Sequence, residues 1–121
     1  MEREMSDPTR EEKMAAAQAR MAELAKKFLD RSAGDLVVMR ADLAKLAQGQ
    51  REAVTDLRQL AHRMVGTGAT LGFETIAARA YDLESIAEGC AADEPPDEST
   101  RGRFSSALDA LEAELRRTQG T

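Results

Sequence analysis

Apolar residues recur along this chain at alternating three- and four-residue steps, the spacing that gathers side chains on one face of an α-helix. Met14, Ala17, Met21, Leu24 and Phe28 form the first such stripe. Thr9 followed by Glu12 fits a capping box ahead of it, each side chain meeting an orphan amide at the helix start. A first helix is predicted over residues 9–31. Ser32-Ala33-Gly34-Asp35 reads as a break, because Gly34 weakens a helix and Ser32 with Asp35 offers a second capping box. Leu36, Met39, Leu43 and Leu46 then carry a second helix to Gln48-Gly49-Gln50, with Gly49 at the left-handed cap. One continuous helix over 9–48 is the alternative reading.

The remaining stripes are cleaner. Leu57, Leu60, Ala61, Met64, Gly68 and Leu71 mark a third helix that begins near Arg51 and stops at Gly72-Phe73. Phe73, Ile76, Ala80, Leu83 and Ala87 mark a fourth, ended by Gly89. The stretch from Cys90 to Pro96 is acidic, contains two adjacent prolines and reads as a loop. Phe104, Leu108, Leu111 and Leu115 define a fifth helix from Asp97 to Arg117. Short connections between amphipathic helices favour antiparallel neighbours. The expectation is an all-α fold, an antiparallel four-helix bundle with an additional N-terminal helix and with Leu57, Leu60, Met64 and Leu71 in its core. Residues 1–8 are expected to be a flexible lead-in and residues 9–118 the bundle.

Composition supports the helical reading. The 121 residues include 22 alanines and 12 leucines but only six valines and isoleucines together, and aromatics make up 3%. Strands favour β-branched and aromatic residues, so a sheet fold is disfavoured. Net charge narrows the function classes. With 22 acids against 17 bases the chain carries −5, against the basic face that nucleic-acid binding needs. No run of about 18 apolar residues exists, so no membrane span is expected. The start Met1-Glu2-Arg3-Glu4 is too charged for a signal peptide, and a cytoplasmic monomer is expected. Cys90 is the sole cysteine and His62 the sole histidine, too few ligands for a structural zinc site. The acidic cluster around Pro95-Pro96 lacks the spacing of a calcium loop.

His62 is the reactive residue inside a predicted element. With His62 at zero and about 100° per residue, the apolar positions of its helix fall at about 160° to 260°. The imidazole is therefore predicted to stand in solvent, opposite the core face. Beside it lie Thr55, Arg58, Gly66 and Ala69, with Val65 at the margin. Gly68 faces the core, where a glycine allows helices to approach. Gly66 faces out, where it costs about 1 kcal/mol relative to alanine and leaves room for another protein to reach the ring.

The segment Leu60-Ala61-His62-Arg63-Met64-Val65-Gly66-Thr67-Gly68-Ala69-Thr70-Leu71-Gly72-Phe73 is similar to the phosphoacceptor segment of histidine phosphotransfer (HPt) domains. The shared pattern is a histidine, a glycine four residues on, further small residues, and a leucine or phenylalanine beside a glycine. The Leu83-Glu84 pair matches a Leu-Glu pair on the following helix. The resemblance spans residues 28–115, with its specific part at 60–73. It implies an antiparallel four-helix bundle and a phosphoryl carrier without kinase activity of its own. His62 would take a phosphoryl group from the aspartate of a receiver domain, in a response regulator or hybrid histidine kinase, and pass it to another. Arg58, Arg63, Val65, Gly66 and Ala69 would form the phosphoryl and docking surface. The chain would need no cofactor, with Mg²⁺ supplied by the receiver. HPt domains commonly carry a lysine three residues after the histidine. Val65 stands there in this chain, and Arg58, one turn before the histidine, is the cation that could substitute.

Three other readings compete. A chemotaxis-like kinase system could use the same module. A dimerising sensor-kinase fragment usually has an acid directly after its histidine and a proline five residues on, where this chain has Arg63 and Thr67. A helical adaptor with an inert histidine would leave His62 unlabelled by a phosphorylated receiver.

Overall fold

The computed structural model describes residues 7–120, which form four helices. They are α1 (Arg10–Ala47), α2 (Ala53–Thr70), α3 (Glu74–Glu88) and α4 (Glu98–Thr118). Each helix packs on its neighbours in sequence and α4 closes on α1, so that the four surround one core. The predicted lead-in lies outside the described residues except for Asp7 and Pro8, which are exposed ahead of the first helix.

The local signals act where the sequence places them. Thr9 Oγ1 accepts from the Glu12 amide at 3.1 Å, and Glu12 Oε1 accepts from the Thr9 amide at 2.7 Å. Asp97 caps α4 by accepting from the Thr100 amide at 2.8 Å. Gly49 and Gly72 both have positive φ, 85° and 88°. Each lets the chain turn back so that the next amide bonds a carbonyl of the last helical turn. Gln50 N–H donates to Lys45 O at 3.1 Å, and Phe73 N–H donates to Gly68 O at 2.8 Å.

The break predicted at residues 32–35 does not occur. The additional N-terminal helix and the first bundle helix are one continuous helix, α1, of 38 residues. Ser32 is buried mid-helix instead of capping, and Asp35 pairs with Arg63 on α2. One glycine costs about 1 kcal/mol in a helix interior, less than the several backbone hydrogen bonds that a break would forfeit. The stripe on this helix also divides. Phe28, Met39 and Leu46 are buried, whereas Met14, Met21 and Leu24 are 55%, 48% and 48% exposed, because α1 runs past the end of the bundle.

The core comes from all four helices, with Phe104, Leu108 and Leu111 of α4 fully enclosed beside Met39, Leu57 and Leu83. Leu57 and Met64 are buried as predicted, but Leu60 and Leu71 are only partly covered. They sit about 70° and 50° to one side of the mean direction of the buried Leu57, Ala61, Met64 and Gly68, at the edge of the inward face. Phe28 and Phe73 stack at 5.2 Å between ring centroids and close one end of the bundle over Gly68. Arg40 ties α1 to α4 through Asp109 at 2.8 Å and Glu112 at 2.6 Å.

Asp42 is a buried carboxyl that the apolar pattern does not foretell. Its Oδ2 has no hydrogen-bond partner. Burial first, then the Asp56 carboxyl across the α1–α2 contact, pushes its pKa up to about 7. Lys45, at 3.9 Å, offsets this in part. A raised folded-state pKa means that folding favours the protonated form. The contribution to stability is full in acid, falls as pH rises above the ordinary carboxylate range, and is gone above about 7. An Asp42→Asn chain, which cannot ionise there, should gain thermal stability over the parent as pH rises from 4.5 to 7, with no further gain above that. Melting curves across that range check the sign; a gain that does not grow with pH refutes it.

Candidate functional site

α2 presents His62 on its outer ridge, with the side chain 72% exposed. The helical phase accounts for this, since Leu57, Ala61, Met64 and Gly68 turn to the core and carry His62 outward. The ring is nevertheless anchored. Its Nδ1 lies 2.5 Å from Glu84 Oε2 on α3. Glu84 is only 7% exposed although it is an acid. An ionised carboxylate can only accept, so it selects the tautomer with the proton on Nδ1. The lone pair of the neutral ring then sits on Nε2, the nitrogen away from Glu84.

The two flanks of the ridge differ. Toward α3 lie Val65 and Arg58, both half-buried. Arg58 makes no ion pair among the described residues and lines a shallow hollow with Glu88 and Cys90. Toward α1 lies Arg63, whose guanidinium donates to both Asp35 oxygens at 3.1 and 3.2 Å and so is tied to α1. A groove of about 690 Å³ runs on this side between α1 and α2, from His62 and Gly66 to Leu24 and Leu71. Gly66 and Ala69 are exposed on the same outer surface. A Cβ at Gly66 would meet nothing within 4 Å, whereas one at Gly68 would come 3.2 Å from the Phe28 ring. Gly68 is thus a packing residue, and Gly66 is open to whatever approaches the histidine.

Gly66→Ala should therefore raise thermal stability, by up to about 1 kcal/mol. Gly66→Leu should keep the fold and hinder a protein that docks over His62, because its side chain would stand beside the imidazole. Thermal midpoint and partner affinity, measured on both variants, separate the two effects. Unfolding of the leucine variant would make Gly66 a packing residue instead.

Of the predicted site residues, Val65, Gly66 and Ala69 share the outer side of α2 with His62, Arg63 lines the groove beside it but is tied to Asp35, and Arg58 lines the hollow on the other flank. The partner missed as such was Glu84. The sequence does carry a signal for it, an acid between Ala80 and Ala87 on the buried face of α3. Asp35, the partner of Arg63, gave no such signal. Among the described residues no cluster of three or more His, Cys, Asp or Glu could hold a metal ion, and no helix is long and apolar enough to cross a membrane.

No protein of the curated set matches this chain. The family model for the Hpt domain matches residues 23–117, which include the bundle part of α1, all of α2 and α3, and α4 to its last turn. Hpt domains are phosphocarrier modules that work with receiver domains in phosphorelays. A four-helix bundle with an anchored, outward-facing histidine, matched over most of its length, belongs to the Hpt domain family and so to two-component signalling.

Proposed function

We propose that His62 is the phosphoacceptor of this domain, receiving a phosphoryl group from a receiver aspartate and handing it to a second receiver. The observation that carries the reading is the exposed ring held through Nδ1 by Glu84, with Nε2 left to solvent. In the forward step the Nε2 lone pair attacks phosphorus, the N–P bond forms, and the P–O bond to the aspartate breaks. The aspartate leaves as a carboxylate. The Nδ1 proton stays between the ring and Glu84, whose negative charge opposes the positive charge that develops on the imidazole. The return step reverses each of these. Mg²⁺ belongs to the receiver's acidic pocket in this scheme, and the chain acts as a carrier without kinase activity.

Arg58 supplies the cation on the α3 flank that Val65 does not. Arg58→Ala should slow transfer by roughly tenfold, and Val65→Lys in that background should restore part of it. Transfer at the parent rate in Arg58→Ala would assign the phosphoryl contacts to the receiver alone. The reading as a whole is tested by incubating the chain with phosphorylated receivers of its own organism. At least one should transfer an acid-labile, alkali-stable phosphate to it; labelling by none would leave the inert-histidine reading.

A further inference from the structure

Residues 10–24 of α1 project beyond the bundle with an apolar face that nothing among the described residues covers. Met14, Met21 and Leu24 on that face are about half exposed. A second feature runs beside them. With Lys13 at zero and about 100° per residue, Lys13, Arg20, Lys27 and Arg31 fall within about 40° of one line. The acids Glu11, Glu12, Glu23 and Asp30 fall at about 160° to 280°, on the far side of the helix. None of the four basic residues makes an ion pair among the described residues. In a chain of net charge −5, this row is a segregated positive strip along an apolar edge.

The strip is continuous with the histidine site. Lys27 and Arg31 line the same groove as His62 and Gly66. Asp35, beside His62 through Arg63, lies about 16 Å along α1 from Leu24 and about 22 Å from Arg20, at 1.5 Å per residue. A domain of about 100 residues has a radius of gyration near 13 Å and is about 30 Å across. One seated on His62 and extended toward the open end of the bundle overlaps the stretch from Arg31 to Arg20.

A second copy of this chain fits poorly. Parallel pairing would drive two bundles into one space, because Phe28, in line with the exposed stripe, is buried in the bundle. Two heptads, with Ala17 at one seam position, also fall short of the three to four that mark a coiled coil.

We infer that Arg20, Met21, Leu24, Lys27 and Arg31 form a second docking element for the receiver, and that it selects receivers with carboxylates around an apolar ridge next to the aspartyl pocket. The inference rests on the phosphotransfer reading for the identity of the partner. The projecting strip would steer an acidic receiver onto α1 and bring its pocket over Nε2. Rim charges of this kind act on association rate and choice of partner more than on the bound contacts.

The test uses the full chain and, with Mg²⁺, the receiver that binds it most tightly among those of its organism, unphosphorylated for the affinity and phosphorylated for the transfer rate. Arg20→Glu with Lys27→Glu should weaken binding and slow transfer about tenfold at low ionic strength, a difference that shrinks in high salt. Met21→Ser with Leu24→Ser should weaken binding at both ionic strengths. These positions are exposed and leave the helical spectrum unchanged. Parent affinity and rate in both double variants would overturn the inference and leave the phosphotransfer reading standing. Receiver binding that depends on the strip, without any loading of His62, would uphold the docking element and sink that reading. A parent chain that sediments as a dimer, with Met21→Ser and Leu24→Ser dissociating it, would assign the face to a second copy and overturn the inference.

Discussion

A His62→Gln chain is expected to take up no acid-labile phosphate from any phosphorylated receiver while keeping its helical circular dichroism and thermal midpoint. His62 is the only histidine, so no second imidazole can stand in. The ring is mostly in solvent and packs little of the core, which limits the effect on stability to the surface range of about 0.5 kcal/mol. Loss of its bond to Glu84 is softened because glutamine can still donate toward that carboxylate. Labelled phosphate that persists in this variant would place the acceptor elsewhere and remove the basis of the proposed function.

Glu84→Gln is expected to slow transfer by about a hundredfold, the lower end of what positioned proton-handling groups contribute. The side chain keeps its size and an acceptor oxygen, so the ring can keep its orientation. What disappears is the negative charge 2.5 Å from Nδ1, which opposes the charge that grows on the imidazole as the N–P bond forms. Glu84→Ala should be slower still, because nothing then selects the tautomer with its lone pair on Nε2. The diagnostic is the split between binding and rate. Glu84 is nearly buried and lies behind the ring, so receiver affinity should stay at the parent value while the transfer step slows. Equal losses in affinity and rate would make Glu84 a structural support of the docking surface instead.

Much of the fold could be read along the chain because the period of apolar residues is a local property. The stripes of α2, α3 and α4, the capping box at Thr9 and Glu12, the cap at Asp97 and the turns at Gly49 and Gly72 all depend on residues within a few positions of each other. The outward phase of His62 follows from the same arithmetic, since a residue opposite an apolar stripe has nowhere else to point. The continuity of α1 was different. Gly34 and the Ser32–Asp35 pair are a fair stop signal taken alone, and their meaning was reversed by partners on another helix.

Periodicity also treats every apolar stripe as buried. The one on α1 is buried only from Phe28 onward, because the other three helices are too short to cover a helix of 38 residues. Where each helix ends relative to its neighbours is a property of the packed bundle and of no single segment. The chemistry of the site divides in the same way. The sequence by itself determined the solitary histidine, the glycine beside it and the helix that carries both. Tertiary structure alone decided the rest, setting Glu84 against Nδ1 from 22 positions away, drawing Arg63 off to Asp35 and burying Asp42 beside Asp56. Those contacts join side chains on different helices, and their distances are set by how the helices pack, which no residue spacing within one helix encodes.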